Sequence, residues 1–250
     1  MLRKKYLIVM AAGHGTRMGS SLPKQFLDLD GRAILHRTIQ KFLDACPDIT
    51  VITVLPLDGD YEQWWKDYCI RAKFLCPQII VRGGITRFHS VRAALEKVPA
   101  GAAVAIHDGV RPMLSSAMIS RMFDMVCKEG GCRGLIPVLP TVDTLKVLGR
   151  RKLDDGTEVL EQKPGRAVDR SEIYGAQTPQ IFCSEDIKAA YSQAYDMMFT
   201  DDASVADRYE IPLTFTEGER LNFKITSPDD LLLARAVLSV MNSGSRRYRG

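Results

Sequence analysis

The apolar run Tyr6-Leu7-Ile8-Val9-Met10 stops at Ala11-Ala12-Gly13-His14-Gly15-Thr16-Arg17-Met18-Gly19, and Pro23-Lys24-Gln25 follows a few residues on. The run predicts a buried first strand, and the small residues predict a loop leaving its carboxyl end. A loop with few Cβ atoms lets backbone N–H groups turn toward a bound anion. Arg17 and Lys24 bring two cations to the same place. Backbone donors and paired cations together match a triphosphate. They carry more positive charge than the pyrophosphate bridge of a dinucleotide requires.

Two commoner glycine loops do not fit. The dinucleotide fingerprint G-x-G-x-x-G needs glycine where Met18 stands. The P-loop needs Gly-Lys-Ser/Thr at a helix start, and the chain has no such tripeptide. What remains, A-A-G-x-G-x-R-M-G and then P-K-Q, resembles the signature loop of nucleotidyltransferases that couple a nucleoside triphosphate to a sugar or polyol phosphate. The plainer reading is a glycine turn with solvated cations, and the coincidence of several demands argues against it.

The chain has 250 residues, 46% hydrophobic and 26% charged, enough for one large α/β domain with a sizeable core. A net charge of +4 suits anionic small substrates, and no interleaving of aromatic with basic residues points to nucleic acid. The six cysteines (Cys46, Cys69, Cys76, Cys127, Cys132, Cys183) form no C-x-x-C pair and fall mostly in apolar or helical stretches. That usage predicts reduced thiols rather than disulfides or a zinc site. The N-terminal apolar run is too short for a signal peptide or a membrane span, so a cytoplasmic location is expected.

Strand-length apolar runs alternate with helix-period segments. Strands are predicted at 6–10, 50–55, 78–81 and 103–106, and helices at 33–45, 61–73 and 86–98. The alternation implies a Rossmann-like α/β domain, a mostly parallel twisted sheet with helices on both faces. The glycine loop, Gly83-Gly84 and Asp108 all follow predicted strands, so three polar sites converge on the carboxyl rim where such sheets bind ligands. Between about 142 and 171 the alternation breaks, and Asp155-Gly156 predicts the turn of a projecting hairpin. A lone ribbon is marginal in water, so this arm is expected to pack on a second subunit. Further on, a helix is expected from Ser184, strands at 213–215 and 223–225, and a final helix from Asp229 to about Met241. The domain is thus expected to span 1–242, with 243–250 a frayed basic tail.

Further clusters carry candidate chemistry. Gly83-Gly84 lets backbone approach a flat ring, and Ser90 in the first helical turn can bond a base edge or a phosphate; a plain loop and helix start is the rival reading. In His107-Asp108-Gly109-Val110-Arg111-Pro112, Asp108 can hold Mg²⁺ or a ribose hydroxyl, while Arg111 meets a phosphate or orients the acid. Asp201 and Asp202 in Thr200-Asp201-Asp202-Ala203-Ser204 either cap a helix or bind a polyol. Lys224, in an otherwise apolar run, either reaches the surface or is aimed at an anion.

Taken in order, these blocks, with D-T, V-D-R, Q-T-P-Q-x-F and N-x-K-I-T-x-P-x-D-L, resemble the 2-C-methyl-D-erythritol 4-phosphate cytidylyltransferase family from Ala11 to Leu231. Gly109-Val110 stands where Ala-Ala is usual, and Phe223 replaces the usual Ile; neither change touches a charged group. The resemblance implies transfer of CMP from CTP to a polyol phosphate in isoprenoid precursor synthesis. It implies that Arg17 and Lys24 stabilise the transition state and that Arg170 and Lys224 hold the methylerythritol phosphate. Ala11, Ala12, Gly13, Gly15, Gly84, Ser90 and Asp108 would bind CTP with its Mg²⁺, with Asp108 the metal ligand. Arg111, Thr144 and Asp201 would touch the substrate. Thr144 and Arg170, flanking the arm, would reach the partner's site in a homodimer. Ribitol-5-phosphate cytidylyltransferases share single blocks. A non-catalytic nucleotide-binding protein of the same fold would be expected to lack one of Arg17, Lys24 or Lys224, and all three are present.

Overall fold

The computed structural model describes residues 3–13, 22–163, 165 and 168–247, with the backbone alone from 242. Strand β1 (Lys5–Met10) is followed by a small hairpin of β2 (Asp28–Leu29) and β3 (Arg32–Ala33). Next come α1 (Ile34–Ala45), β4 (Thr50–Leu55), α2 (Tyr61–Arg71), β5 (Gln78–Arg82), α3 (Arg87–Leu95) and β6 (Ala103–Asp108). The second half holds α4 (Ser116–Cys127), β7 (Gly134–Pro140), β8 (Leu148–Lys152), β9 (Glu158–Gln162), β10 (Tyr174–Ala176) and β11 (Gln180–Cys183). It closes with α5 (Ser184–Ala190), α6 (Asp202–Arg208), β12 (Leu213–Glu217) and α7 (Pro228–Arg247).

One eight-stranded sheet runs β10-β7-β11-β6-β1-β4-β5, with β12 also on β7. The β5, β4, β1 and β6 neighbours are parallel, and so are β7 and β12, while β11 and β10 run antiparallel. The sheet is mostly parallel, as the strand–helix alternation predicts. Leu7, Ile8 and Val9 are fully buried in sequence, as a strand covered on both faces requires. Their side chains alternate between two cores. Leu7 and Val9 pack with Leu35, Ile39 and Phe42 of α1 and Met118, Met122 and Phe123 of α4. Ile8 packs on the other face with Phe88, Val91 and Leu95 of α3 and Ile187 of α5. Apolar spacing on α1 thus fixes which face it covers, and Ser115 starts α4 by accepting the Met118 N–H at 3.1 Å. All six cysteines are free thiols. Among the described residues, no helix is long and apolar enough to cross a membrane.

The expected arm is present as an isolated antiparallel pair, β8 with β9. Gly156 takes a φ of +88°, its N–H donates to the Leu153 carbonyl at 2.9 Å, and Asp155 accepts the Thr157 N–H at 2.9 Å. Two expectations need correction. Phe223–Ile225 is no strand: it crosses the rim beyond the strand ends, and only Ile225 makes a backbone bond there, donating to Val110 at 3.0 Å. The last helix continues to Arg247 rather than ending near Met241.

His36 on α1 is 5% exposed, stacked on Phe74 at 4.1 Å, with Nδ1 2.9 Å from the Tyr68 hydroxyl. Burial first, then the charges of Arg32 and Arg37, pulls its pKa from 6.5 to about 4. Between these values the unfolded chain binds a proton that the folded chain does not. Stability is therefore complete above the upper value and is lost as the pH falls toward the lower one. The expected contribution to the slope is up to about 1.4 kcal/mol per pH unit in that window, absent in His36→Phe. Urea unfolding across this pH range checks it, and identical slopes in the two proteins would refute it.

Candidate active site

A cleft of about 570 Å³ opens where β1, β4, β5 and β6 end. The loops are tied to neighbouring strands as they leave: Ala11 N–H donates to Val54 at 2.9 Å, Gly83 to Leu55 at 2.7 Å, and Gly109 to Met10 at 2.8 Å. A Cβ on Gly83 would stand 2.7 Å from the Ala12 Cβ and 3.1 Å from the Leu55 carbonyl oxygen, so only glycine lets these two loops touch. Ser90, 2% exposed, lines the cleft beside Gly84. Its hydroxyl accepts the Gly84 N–H at 2.9 Å and donates to the Thr86 carbonyl at 2.9 Å, so its bonds shape the loop from within.

Lys24, Gln25 and Phe26 form a single 3-10 turn, in which successive side chains point about 120° apart. Lys24 lines the cleft. Phe26 packs on Trp64 at 4.5 Å and Tyr61 at 5.6 Å. Gln25 is 2% exposed, and its Nε2 donates to the carbonyls of Ala11 at 2.6 Å and Gly13 at 2.9 Å. The sequence reading gave Gln25 no role. Gly15 and Arg17, which it singled out, lie outside the described residues.

Asp108 ends β6 and is 8% exposed. Its Oδ2 lies 3.0 Å from Arg111 Nε and 3.2 Å from Lys224 Nζ. Burial opposes its charge, but Lys224, Arg111 and Arg87 together hold the carboxyl well below the usual carboxylate range. Arg111 also donates through Nη1 to the Asn222 carbonyl at 2.7 Å. In this structure the Arg111 guanidinium braces Asp108.

His107, fully buried, has Nε2 3.2 Å from the Arg111 carbonyl and Nδ1 3.1 Å from the Thr178 hydroxyl. Burial lowers its pKa to about 4, so it is neutral. A carbonyl can only accept, which puts the proton on Nε2; Thr178 then donates to Nδ1 and accepts the Asp108 N–H at 3.1 Å. Asn222, also fully buried, donates to the Thr178 carbonyl at 2.8 Å. One network thus fixes Asp108, Arg111 and the segment carrying Lys224.

Arg87 lines the opposite wall. It pairs in bidentate fashion with the fully buried Asp202, Nη1 to Oδ1 at 2.7 Å, and the Tyr191 hydroxyl donates to the same oxygen at 2.6 Å. Burial works against the Arg87 charge, but Asp202 raises its pKa above the usual guanidinium value. Sequence reasoning passed over Arg87, since only folding brings the fifth residue of G-G-x-x-R beside the second aspartate of T-D-D. Of the two roles expected for Asp201, helix cap or polyol ligand, the structure shows the cap. Its Oδ1 caps α6 by accepting the Ser204 N–H at 2.8 Å, its Oδ2 accepts Gln180 Nε2 at 2.7 Å, and it does not line the cleft. Thr144 and Arg170 are exposed at the base of the arm, where Arg170 donates to the Val142 carbonyl at 3.3 Å. Neither lines the cleft of its own chain.

Among the described residues no three His, Cys, Asp or Glu gather as a metal cage. A single carboxylate, Asp108, suits a hard dication that draws its other oxygens from phosphates and water, as Mg²⁺ does. It does not suit a structural zinc.

The 2-C-methyl-D-erythritol 4-phosphate cytidylyltransferase (IspD) family profile matches residues 6–240. The chain is 38% identical over 235 residues to the protein of that name from Bacteroides thetaiotaomicron, covering 94% of this chain and 100% of that one. It is 39% identical over 240 residues to the protein of the same name from Porphyromonas gingivalis, covering 96% and 100%. Among solved structures, it is similar to 4-diphosphocytidyl-2C-methyl-D-erythritol synthase from Anaerococcus prevotii. The TM-score is 0.72 at 26% identity, over 95% of this chain and 96% of that one. The cytidylyltransferase of Thermus thermophilus matches with a TM-score of 0.66 at 28% identity, over 95% and 98%.

Asp202→Asn is expected to destabilise the protein by about 3 kcal/mol, because it strands the Arg87 charge in a largely desolvated place. Urea unfolding measures this. A loss below about 0.5 kcal/mol would mean the pair behaves like a solvated surface bridge.

Proposed function

The chain belongs to the 2-C-methyl-D-erythritol 4-phosphate cytidylyltransferase family, and we propose that its cleft transfers CMP from CTP to 2-C-methyl-D-erythritol 4-phosphate. The products are 4-diphosphocytidyl-2-C-methyl-D-erythritol and pyrophosphate, on the route to isoprenoid precursors. The observation that carries the reading is the cleft itself: Ala11–Gly13, Lys24, Gly84, Asp108 and Lys224 converge at the carboxyl ends of four strands.

An oxygen of the phosphate monoester attacks the α-phosphorus of CTP, forming a P–O bond as the bond to the bridging oxygen of pyrophosphate breaks. The nucleophile is already an anion at neutral pH, so the protein needs no general base. Its task is to overcome repulsion between two anions and to stabilise charge growing at the α-phosphorus. Fixed cations suit that task. Lys24 is held by its turn, with Arg17 on the same loop, and both would act on the transition state. Lys224, steadied 3.2 Å from Asp108, would meet the monoester phosphate. Ala11, Ala12, Gly13, Gly15, Gly84 and Ser90 would form the nucleotide wall. Asp108 would hold Mg²⁺ with the triphosphate oxygens and water, and that ion supplies further positive charge against the triphosphate.

The arm supports a homodimer as part of this reading. Among the described residues the arm pairs with no strand of the eight-stranded sheet; Val142 and Leu160 are exposed there at 61% and 67%, and Tyr174 on the adjoining β10 at 53%. Arg170 and Thr144, which do not line the cleft of their own chain, would complete the partner's.

Pyrophosphate release tests the reaction with CTP, UTP and ATP crossed against methylerythritol, ribitol and glucose phosphates. CTP with methylerythritol phosphate is expected to give the highest kcat/KM, and a preference for ribitol phosphate would overturn the substrate. Arg17→Ala and Lys24→Ala are each expected to lower kcat about 10²–10³-fold, as loss of a transition-state donor does. Near-normal turnover at saturation would refute their role. Arg170→Ala and Lys24→Ala, each nearly inactive alone, are expected to regain activity when combined in one dimer, since one of its two sites then carries neither lesion. Verified heterodimers as inactive as their parents would confine Arg170 to its own subunit.

A further inference from the structure

A glycine loop receives an anion only when its peptide planes are turned the right way, and small side chains permit that orientation without enforcing it. Gln25 supplies the missing constraint. Its side chain is 2% exposed and lies at the cleft wall, with Nε2 at 2.6 Å from the Ala11 carbonyl oxygen and 2.9 Å from that of Gly13. Carbonyls only accept, so the amide nitrogen must face them, and its two hydrogens serve one each. The Ala11–Ala12 peptide is trans, and in a trans peptide the N–H points opposite to the C=O. Holding the Ala11 carbonyl on Gln25 therefore fixes the Ala12 N–H in the opposite direction. Ala12 is half-buried and lines the cleft, and among the described residues its N–H donates to no group. The Ala11 N–H, by contrast, is held in the sheet by Val54.

We infer that Gln25 is the positioning residue of the anion loop: it occupies two carbonyl oxygens at the cleft wall and fixes the Ala12 N–H for the triphosphate of CTP. This rests on the proposed reading of the cleft as the CTP site. Phe26, wedged against Trp64 and Tyr61, keeps the turn from sliding, so Gln25 and Lys24 hold fixed positions relative to each other. Without the two donors, carbonyl oxygens would be free to face a phosphate, where they repel it.

The test uses Gln25→Glu, which keeps the shape but when ionised can only accept, and Gln25→Met, which removes the polar group without adding charge. Calorimetry measures cytidine, CMP and CTP on each full-length variant and on the wild type. CTP affinity is expected to fall about tenfold or more, as loss of a donor to buried acceptors implies, while cytidine stays within about twofold. In steady state the rise in KM for CTP should exceed that for methylerythritol phosphate. The inference is overturned if CTP binding is unchanged in the variant that folds, or if all three ligands weaken by the same factor, as a merely structural staple would give. A wild type that releases no pyrophosphate from CTP and methylerythritol phosphate would instead overturn the reaction, leaving the ligand series to judge Gln25 by itself.

Discussion

Strand β1 is hydrogen-bonded on both sides, to β4 and to β6, with all three strands parallel. Parallel pairing is what makes a cleft here, because it brings every carboxyl end to the same rim. The register aligns Met10 with Val54 and with Asp108, so the glycine loop and the acidic residue leave the sheet at the same height. Neither loop has to be long to face the other. Each loop begins with a bond to its neighbour, Ala11 to Val54 and Gly109 to Met10, so both depart in fixed directions. A register slip of one residue would turn Ile8 from one core to the other and carry Asp108 away from Lys224.

Above that rim the fold tolerates a concentration of charge only because each buried ion has its partner. Asp108 carries Arg111 and Lys224, and Asp202 carries Arg87 with the Tyr191 hydroxyl. Buried pairs of this kind are weak contributors to stability, since the desolvation of both ions offsets most of their attraction. Their value lies in position. A cation held by a buried carboxylate does not have to be ordered when an anionic ligand arrives, and that is the condition for electrostatic preorganisation. The neutral His107, bridging Thr178 and the Arg111 carbonyl, extends the same bracing without adding charge.

Two candidate side chains carry bracing bonds in the folded chain that the sequence alone does not assign. Arg111 and Asp201 are charged residues in short polar blocks, and charge in a loop reads equally well as a ligand contact or as a brace. Arg111 is satisfied by Asp108 and the Asn222 carbonyl, and Asp201 by Ser204 and Gln180. Three of these four partners lie outside the block concerned or across a turn that spacing alone does not specify. Phe223–Ile225 carries strand-like residues yet forms no strand, because β propensity reports fit to a pleated surface, and here only Ile225 bonds a neighbouring backbone, at Val110.

The sequence by itself determined the strand–helix alternation, the glycine loop after β1, the Asp155-Gly156 turn of the arm and the cations Lys24 and Lys224. These are local signals: apolar periodicity, missing Cβ atoms and turn chemistry act within a few residues. Tertiary structure alone decided which charges face the cleft and which are consumed beneath it. Arg87 meets Asp202 across 115 positions, and Asn222 meets Thr178 across 44. Gln25 bonds the Ala11 carbonyl from 14 positions away. Such pairings depend on where the sheet delivers two distant loops, and a hydrogen bond has no preference for the sequence separation of its partners. That is why the kind of chemistry could be read along the chain, while the assignment of each polar group had to wait for the fold.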